Sequence, residues 1–246
     1  MAKVVLVTVA IGEQYLREYT RLFRPSHELY ARRHGYDFQV ITDWIAEPKV
    51  RDTTSFQKIL VSSQFSDYDY IVFVDADILI NPEAPPIHLE IDGENVGCVD
   101  QWSQPNGRRL EIASKHGWET SAKDYYKLAG FALQTDRVIN TGVMIFQPAM
   151  HASICKSIYD TWIERAIGHR RGFHFEQSAI GFTLQNERMV QWLDVRWNGI
   201  WPLAAALGGN LQAFCKGHWF VHFAGGVDWD KVPKIWSQLI SNSINK

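Results

Sequence analysis

Two acidic side chains, Asp75 and Asp77, lie inside an apolar run, YIVFVDADILINP, at residues 70–82. Burial penalises a charged carboxylate unless a partner compensates for the lost water. In a strand, residues i and i+2 point to the same side, so both carboxylates can leave a sheet together. Two close carboxylates stay ionised most readily beside a cation, and oxygen ligands favour Mg²⁺ or Mn²⁺. The pattern therefore indicates a metal site; the alternative is one turn-capping acid and one solvated acid.

A histidine far along the chain offers a third ligand. His222 lies in the segment VHFAGG at residues 221–226, where Gly225 and Gly226 follow it. Its imidazole could add a nitrogen ligand to the two carboxylates, which favours Mn²⁺ over Mg²⁺, or it could be a structural histidine at a strand end. The glycines would allow backbone N–H groups to approach a phosphate closely.

Alternating strands and helices must position these side chains. Runs of β-branched or alternating apolar residues predict strands at 3–10, 36–42, 68–80, 95–100 and 138–148. Helical patterns occupy 13–34, 54–65, 152–167 and 176–185. This order predicts a parallel, doubly wound α/β sheet whose ligands lie at the carboxyl ends of its strands. Residues 101–134 are polar and mixed, and predict a loop-rich insertion.

Local signals refine the helix boundaries. Pro25 is expected to kink or divide the first helical stretch, and Gly35 to end it. Thr54 and Gln57 match a capping box at the start of the second. The tail from Lys234 predicts a weak or frayed helix.

Bulk properties exclude several classes of protein. With 246 residues and 46% hydrophobic content, the chain can form one large domain. A net charge of −2 argues against nucleic acid or anionic membranes as partners. No run approaches the ~18 apolar residues of a membrane span, and the N-terminus is typical of a strand rather than a signal peptide. Three scattered cysteines argue against disulfides and zinc, and favour a reducing, cytoplasmic location.

Seven short motifs, taken in order, carry a family resemblance: VTVAIGEQY, FQKIL, YDYIVFVDADILINP, INTGVMIFQP, FEQSAI, RWN and VHFAGG. Together they resemble the GT-A-fold glycosyltransferases, particularly the retaining glycogenin/galactosyltransferase and α-galactosyl/xylosyltransferase groups. The resemblance implies a Rossmann-like, mainly parallel central sheet with helices on both faces. It also implies one domain over residues 1–246, with a nucleotide-sugar half at 1–100 and an acceptor-side half at 101–246.

The resemblance also implies a ligand set. A nucleotide-sugar donor, UDP-sugar first and GDP-sugar second, would bind with Mn²⁺ or Mg²⁺. Asp75, Asp77 and His222 would hold the metal, with Asp75 also contacting the donor. The other donor contacts would be Thr8, Val9, Ala10, Tyr15, Lys58, Ala76, Asn140, Thr141, Gly142 and Gly225. Strand-end packing for Val9 and Tyr15, a solvated lysine at 58 and a turn at 140–142 are the structural alternatives.

Catalytic roles follow from the same resemblance. Glu176 and Gln177 match a pair, commonly Asp-Gln, that borders the reacting anomeric carbon, and Lys58 would face the donor diphosphate. Glu176 is one methylene longer than the usual aspartate, and a contact with the helix dipole is its structural alternative. Asp228 stands where many relatives carry a lysine, so Lys231 is a substitute candidate.

The expected reaction is metal-dependent transfer of a hexosyl or pentosyl group to a glycan or other hydroxyl acceptor, with retention. An inverting enzyme would instead need a carboxylate base, for which Asp100 and Glu176 are the candidates. A sugar-nucleotide nucleotidyltransferase is a rival, although VAIGEQYLREY lacks the expected glycine-rich basic loop. A non-catalytic sugar-nucleotide-binding protein is another, and a homodimer stays open. Acceptor contacts are expected among Trp102, Trp118, Tyr125, Tyr126, Trp201 and Trp229, with core packing as the alternative for each tryptophan.

Overall fold

Two sheets organise the chain in the computed structural model, which describes residues 2–47, 49–91, 93–105, 107–116, 121–167 and 175–244. The central sheet contains β1 (Val4–Val9), β2 (Asp37–Ile41), β3 (Tyr70–Val74), β5 (Val96–Asp100), β6 (Ile139–Phe146) and β7 (Val190–Leu193). A smaller sheet contains β4 (Ile78–Ile80), β8 (Gly199–Ile200) and β9 (Phe220–His222). The spatial orders are β2-β1-β3-β6-β5-β7 and β4-β9-β8.

Helices and short 3₁₀ segments connect the strands. The α-helices are α1 (Glu13–Leu22), α2 (Arg24–His34), α3 (Val61–Gln64), α4 (Arg109–His116), α5 (Ala122–Leu128), α6 (Pro148–Ala166), α7 (Phe175–Asn186), α8 (Trp201–Ala206), α9 (Leu211–Gly217) and α10 (Val232–Ile244). The 3₁₀ segments are Arg51–Leu60, Ile87–Glu90, Val195–Asn198, Ala224–Gly226 and Trp229–Lys231. Within the described ranges, every helix is too short or too polar to cross a bilayer.

The central sheet is mainly parallel, with one reversed strand. β1 pairs in parallel with β2 and β3, and β5 with β7, whereas β6 runs antiparallel to both β3 and β5. The predicted mainly parallel sheet is therefore confirmed, and β6 is the exception to the fully parallel arrangement. Because β6 is reversed, its first residues lie beside the end of β3, where Val74 faces Val143.

Alternate residues of the strands enter two different hydrophobic layers. Val5 and Val7 of β1 pack with Phe56 and with residues of α5, α6 and α7. Val4 and Leu6 pack on the opposite face with α2, β4 and β9. Helices thus cover both faces, as predicted, and the small sheet shares one face with α2.

The first helical stretch is divided, as its proline predicted. α1 ends at Leu22, and Pro25 occupies the first turn of α2, where the missing N–H costs no helical hydrogen bond. Gly35 ends α2 with φ 68°, a left-handed conformation that glycine adopts without strain. Both sequence signals are confirmed.

The predicted capping box at Thr54 and Gln57 is wrong. Residues Arg51–Leu60 form a 3₁₀ helix that starts after Val50 without a side-chain cap, and α3 continues it. The Gln57 side chain instead accepts from Ile45 N at 2.9 Å and Ala46 N at 3.0 Å. Gln57 therefore bonds to the loop at residues 45–46 and does not cap the helix.

Two further predictions are confirmed in part. The described part of 101–134 is rich in loops, as predicted, but it also contains two helices, α4 and α5, and Ser121 caps α5 by accepting from Asp124 N. The C-terminal tail forms the regular helix α10 because Val232, Ile235 and Leu239 bury one face of it against the core.

Candidate active site

The acid pair lies in a turn between the two sheets. β3 ends at Val74 and β4 begins at Ile78, so the predicted continuous strand over 68–80 is wrong. Asp75 N donates to Gly142 O at 2.7 Å, and Asp75 O accepts from Ile78 N at 3.2 Å. The carboxylates converge because this tight turn folds them together, and not because a strand places i and i+2 on one side.

The imidazole of His222 meets both acids. β4 and β9 pair antiparallel with Ile78 opposite His222, which carries the ring to the turn. His222 Nε2 lies 3.2 Å from Asp77 Oδ1 and 3.8 Å from Asp75 Oδ2. One ligand atom from each residue falls within 4.8 Å of the others. The structure thus brings together the three residues whose metal role was predicted from the sequence.

This donor set fits a divalent cation. Two carboxylates and one imidazole nitrogen face one another, and oxygen-rich sets suit Mg²⁺ and Mn²⁺. Burial lowers the pKa of His222, but the carboxylates of Asp77 and Asp75 outweigh it and raise the pKa overall. Burial likewise raises the pKa of Asp77, and the facing imidazole outweighs it and lowers the pKa. The carboxylates of Asp75 and Asp77 therefore stabilise a positive charge next to them, whether on the imidazole or on a bound cation.

Lys58 supplies a second positive charge. Its ammonium lies 2.8 Å from Asp75 Oδ1 and donates to Thr141 Oγ1 at 3.4 Å, and the residue is 6% exposed. Burial lowers the lysine pKa, but Asp75 and Glu176 more than compensate and raise it, so the side chain stays charged. The alternative of a solvated helix lysine is wrong.

Residues 140–142 belong to a strand and not to a turn. They lie near the start of β6, where the pairing with β5 shifts register between Cys98 and Val99. The Asn140 carbonyl oxygen Oδ1 accepts from Gly142 N at 2.9 Å, and its amide donates to Gln177 Oε1 at 3.2 Å. The turn alternative is wrong because a bulged strand supplies the irregular backbone.

A buried amide network surrounds Gln177. Its Nε2 donates to Tyr125 OH at 2.9 Å and to Gln101 Oε1 at 3.1 Å. Asn140 also donates to Gln101 Oε1, at 3.0 Å. Sequence reasoning missed Gln101 as part of this site, and no motif marks it. Asn198, in RWN, also joins the network although no role was predicted for it.

Glu176 lies one residue before this network, in the first turn of α7. It is 8% exposed, and its charge contributes to the raised pKa of Lys58. No hydrogen bond holds its carboxylate among the residues described. A buried acid near Lys58 and free of such bonds is available to a ligand.

The predicted nucleoside contacts lie at the end of β1. Thr8 and Ala10 are fully buried, and the Thr8 hydroxyl has no hydrogen-bond partner within the described ranges. Tyr15 is 37% exposed, and burial together with the charges of Asp77 and Asp75 raises its pKa. The carboxylates of Asp77 and Asp75 therefore act electrostatically on the Tyr15 hydroxyl. Val9 is half-buried at the edge of the same region.

The loop after β9 adds exposed glycines. Gly225 and Gly226 have φ of 70° and 79°, in the left-handed region that favours glycine. Asp228 accepts from Trp201 Nε1 at 2.8 Å and pairs with Lys231 Nζ at 2.6 Å. The ammonium of Lys231 is thus paired with Asp228, the residue that stands where the resemblance predicts a lysine. Ala76 is buried in the turn of the acid pair.

The aromatic candidates for acceptor binding divide into two groups. Tyr126 and Trp201 are buried in the core, away from the network; Trp102 and Tyr125 are buried too, with 9% and 7% exposure. Trp102 and Tyr125 lie beside the amide network with rings 5.5 Å apart, and Trp229 is half-buried next to Tyr15 at 6.2 Å. Trp118 lies outside the described residues.

Comparison with solved structures places this geometry in a known fold. A glycosyltransferase involved in glycosylation of the major capsid of PBCV-1 is 16% identical over 96% of this chain and 99% of its own, with a TM-score of 0.62. Galactosyltransferase LgtC, solved with donor and acceptor sugar analogues, is 12% identical over 95% of both chains, with a TM-score of 0.57. The bifunctional glycosyltransferase WbbM is 16% identical over 91% of this chain and 46% of its own, with a TM-score of 0.57.

These similarities confirm the predicted fold class. The chain has the mixed α/β fold of GT-A glycosyltransferases, built on the six-stranded central sheet. No protein-family model matches the sequence, and no curated protein is significantly similar to it.

Proposed function

We propose that this chain is a metal-dependent glycosyltransferase. It would transfer a hexosyl or pentosyl group from a nucleotide-diphosphate sugar, with UDP-sugar as first choice, to a hydroxyl of a glycan or other acceptor. The observation that carries the proposal is the convergence of Asp75, Asp77 and His222 on one point of a GT-A fold. In this reading residues 1–100 supply both acids and Lys58, and residues 101–246 supply the histidine and the catalytic amide.

Charge at the leaving group decides the rate of such a reaction. A bound divalent cation would act as a Lewis acid on the departing diphosphate. Lys58 would add a fixed positive charge, since its ammonium is buried and held by Asp75 and Thr141. The exposed amides at Gly225 and Gly226 would lie along the phosphates. These groups favour the transition state because negative charge grows on the leaving phosphate as the bond to the sugar breaks.

Gln177 is the candidate for the sugar side of the reaction. Its two amide hydrogens point to Tyr125 OH and Gln101 Oε1, so its carbonyl oxygen is turned towards Asn140, and among the described residues that oxygen accepts from Asn140 alone. That oxygen and the Glu176 carboxylate would stabilise the positive charge of an oxocarbenium-like sugar. The acceptor hydroxyl would attack from the leaving-group face, and the departing phosphate would accept its proton.

The surroundings of Asp100 argue against it as the base of an inverting reaction. Its carboxylate accepts from three backbone amides, Trp102 N at 2.8 Å, Ser103 N at 3.2 Å and Val138 N at 3.0 Å. A carboxylate occupied in this way holds the loop after β5 and is poorly placed to accept a proton from an acceptor. Of the two candidate bases for inversion, only Glu176 keeps a free carboxylate.

A UDP-sugar is the donor to test first, with a GDP-sugar second. The similar structure LgtC is a galactosyltransferase solved with donor and acceptor sugar analogues, which supports galactose as the first sugar to test. The buried free cysteines Cys98, Cys155 and Cys215 support a reducing, cytoplasmic setting.

An assay of Asp77→Ala tests the proposal. Wild-type protein with Mn²⁺ should hydrolyse or transfer from UDP-galactose, UDP-glucose or UDP-xylose, and EDTA should abolish the reaction. Asp77→Ala should lose the metal-dependent activity while its Tm stays near that of wild type. Full activity of the variant, or of wild type without metal, would contradict the assignment. Proton NMR of the anomeric signal in the first product then separates retention from inversion.

A further inference from the structure

The segment RWN, residues 196–198, is anchored so that its last side chain faces the active site. The Arg196 guanidinium lies 4.0 Å from the Trp219 ring centroid. Trp197 is fully buried, with ring centroids 4.3 Å from Trp219 and 5.3 Å from Phe220. These three contacts fix the segment against Trp219, which precedes β9, and against Phe220, the first residue of β9. Asn198, 0% exposed, follows directly and points its amide into the interior.

The amide of Asn198 links two parts of the site. Its Nδ2 donates to Asn140 Oδ1 at 2.7 Å, and its Oδ1 lies 3.2 Å from His222 Nδ1. Asn140 in turn donates to Gln177 Oε1. A continuous chain of side-chain hydrogen bonds therefore runs from the candidate metal ligand His222 to the candidate catalytic amide.

The direction of this chain follows from one backbone group. Gly142 N–H can only donate, and it lies 2.9 Å from Asn140 Oδ1, so that atom is an acceptor. Asn198 must then present its NH₂ to Asn140 and its carbonyl oxygen to His222. Because that oxygen accepts, His222 must carry a hydrogen on Nδ1. The orientation of every member is set by a donor that cannot be flipped.

A hydrogen on Nδ1 has a direct consequence for His222. In the neutral ring the other nitrogen, Nε2, then holds the free lone pair, and Nε2 is the atom that faces Asp75 and Asp77. Metal-binding histidines depend on such outer partners to fix the ring and its tautomer.

We propose that Asn198 is a positioning residue that sets His222 as an Nε2 metal ligand and couples it to Asn140 and Gln177. Its importance for sugar transfer rests on the proposed function, whereas its effect on His222 does not. Asn198 touches neither metal nor substrate in this arrangement. It acts through the two side chains that it bonds.

Two substitutions separate the two bonds of Asn198. Asn198→Leu keeps a similar volume and removes both bonds. Asn198→Asp keeps an acceptor towards His222 Nδ1 and replaces the donor towards Asn140 with an oxygen. The matched control is Asn210→Leu, because Asn210 caps α9 by accepting from Ala213 N at 2.9 Å. That control loses a hydrogen bond by the same substitution without changing any bond of the amide network.

The experiment measures Mn²⁺ binding to each purified full-length variant and the ¹⁵N shifts of His222, identified by comparison with His222→Gln. In the metal-free protein at alkaline pH, wild type and Asn198→Asp should show the Nδ1–H form. Asn198→Leu should lose that signature and bind Mn²⁺ about 10- to 100-fold more weakly. Asn210→Leu should lower Tm and leave Mn²⁺ affinity unchanged.

The proposal is overturned if Asn198→Leu keeps the Nδ1–H form and binds Mn²⁺ within twofold of wild type. It is also overturned if Asn198→Asp loses the signature, which keeps the test valid should the leucine variant fail to fold. A wild-type protein that binds Mn²⁺ but transfers no sugar would refute the proposed function, while the ring tautomer would still decide the role of Asn198.

Discussion

The ring of His222 lies directly over the backbone of Gly142. A Cβ atom at position 142 would lie 2.6 Å from both Cε1 and Nδ1 of the imidazole and 2.9 Å from Asn140 Oδ1. Real Cβ atoms do not approach other heavy atoms this closely, so the ring occupies its position only because residue 142 is glycine. The glycine is needed here for space, since its φ is not in the left-handed region.

Gly142→Ala should therefore displace His222 from the acids. We expect Mn²⁺ affinity to fall by at least about tenfold, with a stability loss of ~1–3 kcal/mol from overpacking. Titration calorimetry with Mn²⁺ and thermal unfolding measure the two effects. Gly217→Ala is the control, because its Cβ would meet nothing within 4 Å. Equal Mn²⁺ affinity in both variants would show that the ring can move without loss of the site.

Lys58→Met should slow sugar transfer more than it weakens donor binding. The substitution removes the ammonium next to Asp75 and keeps most of the buried volume. A fixed charge aimed at the leaving group acts mainly in the transition state, so we expect kcat to fall by ~10²–10³ with a smaller change in KM. Steady-state kinetics with UDP-galactose and Mn²⁺ measures this.

Lys156→Met provides the control for Lys58→Met. Lys156 pairs with Asp160 on the exposed surface of α6, where such a pair contributes little. Its kcat and Tm should match those of wild type. A kcat for Lys58→Met within threefold of wild type would remove the lysine from the catalytic set.

Two adjacent tyrosines allow the effect of the amide network on catalysis to be distinguished from the effect of ordinary core packing. Tyr125 OH accepts from Gln177 Nε2 at 2.9 Å, whereas Tyr126 OH accepts from Gln185 Nε2 at 2.7 Å. Tyr125→Phe removes one of the two acceptors of the Gln177 amide and leaves Gln101 Oε1 as the other, so we expect kcat to fall about tenfold, equivalent to ~1.4 kcal/mol. Tyr126→Phe should cost ~1 kcal/mol of stability and leave kcat unchanged.

Steady-state kinetics and urea unfolding of both tyrosine variants check this prediction. A matching loss of kcat in the two variants would point to a general loosening of the core. An unchanged kcat in Tyr125→Phe would show that the orientation of Gln177 does not depend on that hydroxyl.

The three cysteine thiols should be unreactive in the folded protein. Burial raises the pKa of Cys155 and of Cys215 to about 12, and it raises the pKa of Cys98 as well. Since the thiolate is the reactive form, alkylation by iodoacetamide at pH 8 should be very slow in native protein and complete, at three groups, in urea. Mass spectrometry counts the adducts, and rapid native labelling would mean that a thiol is accessible.

The order of the main elements was predictable because each depends on local pattern. The strand runs and the helix stop at Gly35 follow from residues close in sequence. The acids and His222 were predictable for a related reason, since Asp75 directly follows β3, Asp77 directly precedes β4 and His222 ends β9. Polar residues at such positions are exposed to a ligand in an α/β sheet.

The roles of the remaining site residues depend on contacts between residues far apart in the sequence, and a local sequence pattern does not reveal such contacts. Asn198 bonds to Asn140 across 58 residues, and Asn140 bonds to Gln101 across 39. The reversed direction of β6 brings these amides together, and strand direction cannot be read from hydrophobic alternation. The failed cap at Thr54 has the same origin, because Gln57 binds a loop eleven and twelve residues away.

The turn at Asp75–Asp77 has a mechanical consequence. Asp75 N is bonded to Gly142 of the central sheet, whereas Ile78 pairs with His222 of the small sheet. An ion held by both acids and the imidazole would cross-link the two sheets at their junction. Ion release would then let the small sheet shift against the large one, and amide hydrogen exchange in β4 and β9 would rise when the metal is removed. Occupancy of this one site would thus set the rigidity of the junction between the two sheets.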